Sequence, residues 1–178
     1  MDFGSKMEVA NMNPRRIQLV TAVAGSIALA EAHPAQALPE ALRADGETVA
    51  FTVFAEGAQV YDCKADPAGK LAWTFREPIA TLMIDGTTVG RHYAGPHWEM
   101  ADGSIVRGKV SGRAPGATTA DIAWLKLDVS ARKGQGQLDG ITTIQRINTK
   151  GGTLEGACSK AGSTLSVGYS TEYVFLKR

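Results

Sequence analysis

What most constrains the fold of this chain is how often turns interrupt it. Asp45-Gly46, Glu56-Gly57, Asp66-Pro67-Ala68-Gly69, Asp85-Gly86, Gly95-Pro96, Asp102-Gly103, Pro115-Gly116, the stretch Lys133 to Gly140 and Gly151-Gly152 follow one another at short intervals. Short strands must fill the gaps. An Asp-Gly pair between apolar runs is a hairpin signal, because a two-residue turn needs positive φ at both central positions. Ile79 to Ile84 is therefore expected to pair with Thr87 to Arg91, and His97 to Met100 with Ser104 to Val110.

Alternation supports strands between the turns. Val49, Phe51 and Val53 share a side, as do Leu71, Trp73 and Phe75, which reads as core. Ala123, Leu125, Leu127 and Val129 oppose Trp124, Lys126, Asp128 and Ser130, while Leu165, Val167, Tyr169, Thr171, Tyr173 and Phe175 lie along one face of the last segment. A period of two over that length belongs to a strand. Apart from a turn around Pro39 to Arg43, no window downstream of the N-terminal apolar segment carries a helical stripe. The expected fold is all-β, a single antiparallel β-sandwich or barrel of roughly nine to ten short strands, with the sandwich favoured. Gly134 to Gln137 and Pro115 to Thr119 read as surface loops that join strands, with a border to a binding mouth as the second reading.

The N-terminus is of another kind. Arg15 and Arg16 precede the apolar run Ile17 to Ala30, and Ala35-Gln36-Ala37 supplies a small-residue cleavage pattern. This is the layout of a signal peptide over residues 1–37, which leaves 38–178 as one domain and directs it to the periplasm or the exterior. The apolar run falls short of the roughly 20 residues that span a bilayer, so no transmembrane segment is expected after signal removal. The arginine pair also raises the twin-arginine route, although Gln18 stands where that signal prefers an apolar residue. Met7 and Met12 are alternative starts.

Removing residues 1–37 takes away Lys6, Arg15 and Arg16 together with Asp2, Glu8 and Glu31, so the net charge stays at +1. That balance argues against nucleic acid as a partner, since a basic excess on one face would be needed. Cys63 and Cys158 remain, and in an oxidising compartment an isolated pair most simply forms one disulfide. Their spacing is not that of a redox or metal-binding C-x-x-C pair.

Chemistry, if present, gathers at Gly90-Arg91-His92-Tyr93-Ala94-Gly95-Pro96-His97-Trp98-Glu99 and Asp102-Gly103-Ser104. A four-residue loop, Tyr93 to Pro96, would set His92 and His97 side by side across a hairpin. Glu99 would share a side with His97, and Asp85 or Asp102 could approach from a neighbouring turn. A two-histidine, one-carboxylate metal site is then conceivable, but the spacing matches no standard ligand signature and no metal is assigned. A hydrolytic reading takes His92, Glu99, Asp102 and Ser104 as catalytic candidates, without the Gly-x-Ser-x-Gly elbow of many hydrolases. Tyr93, His97, Trp98 and Trp124 are candidates for contacting a ligand, Trp124 because it falls on the polar face of its segment. Trp98 also has a core reading.

From about Leu38 to Phe175 the chain resembles a family of small secreted bacterial and fungal proteins catalogued as domain of unknown function 3455. The carriers are Val60-Tyr61-Asp62-Cys63, Trp73, the Gly90 to Glu99 stretch, Asp102 to Val106, Trp124-Leu125, Thr143-Ile144-Gln145-Arg146, Gly151-Gly152, Cys158 and Tyr169 to Phe175. The family pattern, Gly-x-His-Tyr-Ala-Gly-Pro-x-Trp, does not require histidine at position 97, which favours His92 over His97 as a site residue. The resemblance implies export and a common fold and no activity or cofactor. The expectation is an exported domain that binds a small molecule, a glycan or an envelope partner. The alternatives are a hydrolase or metal-dependent enzyme centred on the His92/His97 turn, and a structural envelope protein.

Overall fold

The computed structural model describes Met1 and residues 37–178, so the expected signal peptide falls outside the described residues up to Gln36. Eight strands, β1 (Thr48–Ala65), β2 (Leu71–Ile84), β3 (Thr87–Tyr93), β4 (His97–Met100), β5 (Ile105–Ala114), β6 (Trp124–Lys133), β7 (Ile141–Gly151) and β8 (Thr164–Lys177), follow a 3-10 turn at Glu40–Leu42. Each pairs antiparallel with the next, and β8 pairs with β1. The result is a closed up-and-down barrel, the all-β alternative to the sandwich. Closure leaves few edges to protect, which suits a chain rich in exposed polar strand residues.

Among the described residues the strand count is eight rather than nine or ten because Glu56-Gly57 does not turn. Both residues lie inside β1, paired with Thr81 and Ala80. A Cβ on Gly57 would meet the Ile79 carbonyl oxygen at 2.0 Å and the Ala80 Cα at 2.6 Å. Glycine here permits two strand backbones to crowd, a use of the residue that looks like a turn signal in sequence. Both predicted hairpins form: Ile84 pairs with Thr87 across Asp85 (φ 48°) and Gly86 (φ 76°), and Glu99 pairs with Ile105.

Because the strands alternate in direction, the loops fall into two sets. The turns Asp85-Gly86, 101–104 and 134–140 close one end, here called the base. Loops 66–70, 94–96, 115–123 and 152–163 surround the other, the mouth. The base is packed with apolar side chains: Leu138 and Ile141 are buried, Phe51 stacks on Phe175 at 4.6 Å, and Met100 and Val106 belong to the same cluster. Leu71, Trp73 and Phe75, expected in the core, sit on β2 towards the mouth, where Trp73 is half-buried and Phe75 is 48% exposed. Val49 is likewise exposed, because a bulge between Val49 and Phe51 breaks the alternation they were expected to share.

A second, smaller apolar cluster lies outside the barrel. Leu42, carried by the Pro39 to Arg43 turn, covers Trp124 and Ala114, with Ile147 against them. The turn is fastened by Gln145 Nε2, which donates to the Leu42 carbonyl at 2.7 Å, and by Lys126 Nζ, which donates to that of Arg43 at 3.1 Å.

Candidate functional site

The central motif folds as the β3–β4 hairpin, with a register that divides its residues between the two faces of the wall. His92 pairs with Trp98, Tyr93 with His97, and Arg91 with Glu99. The loop is therefore three residues, Ala94 to Pro96, rather than four. In a strand that one-residue difference reverses the facing of a side chain. His92 and Trp98 point into the barrel, where both are buried and their rings stack at 4.5 Å. His97 points outward, stacks on Tyr93 at 5.3 Å, and its Nδ1–H donates to the Ala94 carbonyl at 2.6 Å, which ties the turn.

The expected two-histidine, one-carboxylate set is thereby split by the barrel wall. Glu99 does share the side of His97, but its carboxylate accepts both bonds from Arg91 Nη2, at 2.9 and 2.8 Å, and one from the Tyr93 hydroxyl at 3.0 Å. Arg91 and then Tyr93 hold the Glu99 carboxyl below its usual range. Asp85 and Asp102 belong to base turns, at the far end of the barrel from loop 94–96. Among the described residues, no group of three or more His, Cys, Asp or Glu side chains is placed to hold a metal ion.

The serine and aspartate of the hydrolytic reading do meet, as a turn lock. Ser104 Oγ donates to Asp102 Oδ1 at 2.6 Å and accepts from Leu138 N–H at 3.3 Å, while Asp102 also accepts from the Ser104 and Gln137 amides. These bonds, led by that from the Ser104 hydroxyl, lower the pKa of Asp102. Among the described residues no histidine bonds to Ser104, and the pair pins the β6–β7 loop over the base. The catalytic constellation of His92, Glu99, Asp102 and Ser104 is thus distributed over the inner face, the outer face and the base.

Trp124 is on the face opposite Leu125 and Leu127, as alternation predicts, but it is buried under Leu42 and forms no exposed platform. Sequence periodicity separates inside from outside of the sheet and does not reveal that a preceding segment returns to cover the outside.

The site that does form is a cavity of about 880 Å³ opening at the mouth. Its deep wall is made by Gln59, Trp98, His92, Arg146 and Tyr173, and its rim by Phe75, Val110 and the Pro115 to Thr119 loop. Loop 152–163 straps one side. It pairs with the free edge of β2, Trp73 N–H donating to Gly156 O at 3.1 Å and Cys158 N–H to Leu71 O at 3.3 Å. The Cys63–Cys158 disulfide, with 5.8 Å between Cα atoms, and the Tyr61 hydroxyl, which donates to Gly152 O at 2.6 Å, bind it to β1. The Pro115 to Ala123 loop is pinned as well: Asp121 accepts from Gly151 N–H at 2.7 Å and from Thr118 N–H and Oγ1–H. Both loops form a built rim.

Inside, several buried polar groups lack full hydrogen bonds. Trp98 Nε1 is buried with no hydrogen-bond partner among the described residues, and the hydroxyls of Tyr169 and Tyr173 and Gln59 Nε2 lie close to one another, with Arg146 beside Tyr173, without forming full hydrogen bonds. Leaving buried donors unmet costs free energy, about 1–3 kcal/mol each, which a ligand bearing acceptors would recover. His92 is neutral: burial pushes its pKa down to about 3, helped by the charge of Arg146 and resisted by the bond to the His97 carbonyl. That bond, 2.8 Å from Nδ1, places the proton on Nδ1 and leaves Nε2 as the acceptor. Burial likewise raises the pKa of Tyr173 and Tyr169, so both keep their protons.

Arg146 was visible in the sequence only as part of a family-like stretch. It shares parity with Ile144 on β7 and pairs with Leu125 and Tyr173, so its guanidinium enters the barrel. The signal that could have found it is a charged residue on the core-facing parity of a strand, where burial of an unpaired charge is costly.

Residues 43–177 match the model of one protein family, described as protein of unknown function (DUF3455). No curated protein and no solved structure matches the chain.

Proposed function

We propose, for a chain that belongs to this family of unknown function, that the barrel is a binding module for a small molecule held in the mouth cavity. The observation that carries this is the set of buried polar groups on the deep wall that lack a full hydrogen bond, Tyr173, Gln59 and Trp98, with Tyr169 behind them. A pocket of this size, apolar in its walls with a few convergent polar groups, is the usual form of a small-molecule site. Exposed Phe75 and Val110 at its entrance supply apolar surface that a ligand would cover. The sites assembled by His97, Glu99, Asp102 and Ser104 act as structural locks in this reading.

Binding is tested with N-phenyl-1-naphthylamine, a neutral dye that fluoresces in apolar surroundings. Saturable one-to-one binding is expected, and Val110→Trp, which fills the entrance from an exposed position, is expected to abolish it. Absence of saturable binding, or equal binding by the filled variant, overturns the reading.

The same proposal includes export. The disulfide and the lack, among the described residues, of any helix long and apolar enough to cross a membrane are compatible with an extracytoplasmic location. Expression of the full chain in a Gram-negative host should yield an envelope or medium fraction beginning at Leu38. Recovery of the protein in the cytoplasm with residues 1–37 retained would refute export and leave the cavity reading standing.

A further inference from the structure

We infer that the ligand of the mouth cavity is an aromatic monocarboxylate whose carboxylate is received by Arg146. This rests on the cavity reading above and narrows it to a chemical class.

The guanidinium of Arg146 is fixed along one side. Nε and Nη2 both donate to the Ala123 carbonyl, at 3.1 and 2.8 Å. That neutral oxygen orients the group and does not neutralise it. Beyond Ala123 the guanidinium has the Tyr173 hydroxyl beside it but makes no full hydrogen bond to it, and no carboxylate forms a salt bridge with Arg146 among the described residues. A planar fork with free hydrogens is the group proteins use to bind a carboxylate in two parallel bonds.

The remaining charges around the cavity leave this cation uncompensated. Asp121 spends its oxygens on Gly151 and Thr118. Glu155 lies exposed on the strap, and of the two arginines at the rim Arg76 is already paired with Asp62 and Glu77, while Arg113 is exposed to solvent and forms no salt bridge among the described residues. His92 is uncharged, so Arg146 is the cation of the deep wall.

The unmet groups near it favour the same class. Trp98 Nε1 and Gln59 Nε2 can only donate, and the Tyr173 hydroxyl can donate. A carboxylate offers acceptors alone, whereas a glycan hydroxyl also needs acceptors, of which this wall has few. On the deep wall one guanidinium with one charge suits a monoanion better than a phosphate dianion, since Arg113 stands in solvent at the rim. Around it, Trp98, Tyr173 and Phe75 provide aromatic surface for a flat apolar body.

The test compares 1-naphthaleneacetate with its neutral amide, 1-naphthaleneacetamide, by isothermal titration of the wild-type protein and by displacement of the neutral dye. The carboxylate is expected to bind about tenfold or more tightly than the amide, the factor that a charge-assisted pair supplies. Arg146→Gln should bring the two within about twofold while the neutral dye still binds. Because Arg146 also anchors Ala123, folding of that variant is checked by circular dichroism. Arg146→Lys, which keeps the charge and loses the fork, should reduce the ratio of carboxylate to amide affinity several-fold. Equal binding of acid and amide by the wild type overturns the inference, as does a preference that survives the loss of Arg146. Dye binding that persists in either case leaves the cavity reading intact, and dye binding that fails removes both.

Discussion

His92 lies face to face with Trp98, ring centroids 4.5 Å apart and planes inclined by 21°, and the edge of Tyr173 closes on the pair at 5.1 and 5.3 Å. The imidazole is thus walled by aromatic surface, with its one described hydrogen bond made to the His97 carbonyl. A charged imidazolium in that place would lose its hydration and face the guanidinium of Arg146.

A pH dependence of stability follows. The folded-state pKa of His92 is depressed to about 3 from 6.5, so the unfolded chain takes up a proton first as the pH falls. The stabilisation by neutral His92 is complete above about pH 6.5 and is lost as the pH drops towards 3. Between about pH 7 and pH 5, urea unfolding should lose about 2 kcal/mol. His92→Phe, which retains the ring against Trp98, should flatten that slope; an unchanged slope would show that the loss has another source.

The three-residue hairpin loop should depend on Gly95 for two separable reasons. Its φ is +112°, a conformation costly for other residues, and an added Cβ would lie 2.4 Å from the His97 ring. Gly95→Ala is expected to cost about 1–3 kcal/mol. In a His97→Ala background the clash disappears and the strain remains, so the cost should fall by at least about 0.5 kcal/mol in a double-mutant cycle. Additive costs would contradict the outward register of His97.

Ser104 should matter for stability and not for binding. Ser104→Ala removes a buried hydroxyl that serves both Asp102 and the Leu138 amide. Thermal or urea unfolding should show a loss of about 1–3 kcal/mol. Affinity for N-phenyl-1-naphthylamine at the mouth should not change, and a large loss of affinity would show that the base and the mouth are coupled.

The disulfide should hold both the fold and the rim. Cys63 and Cys158 are 95 residues apart, and closing so long a loop is worth about 4–5 kcal/mol in the chain-entropy model. Replacing both by serine should lower the unfolding free energy by about that amount or less, and should speed dye release as the strap loosens. If stopped-flow release rates are unchanged, the strap is held by Tyr61 and the β2 edge without it.

The sequence by itself determined that this is an all-β chain, where the Asp85-Gly86 hairpin turns, that Cys63 and Cys158 can pair, and which residues of β6 and β8 share a face. These depend on local chemistry: turn geometry demands particular residues, and alternation is a property of one strand. The tertiary structure alone decided that the sheet closes into a barrel, since closure depends on β8 meeting β1 across more than a hundred residues of chain. It also decided that Glu56-Gly57 continues a strand, because the need for glycine there comes from the backbone of β2. A single step of register, which no one strand encodes, separated His92 from His97 and broke the apparent metal site. Arg146, Gln59 and Tyr173, far apart in sequence, meet at the mouth because three inward faces converge on one axis.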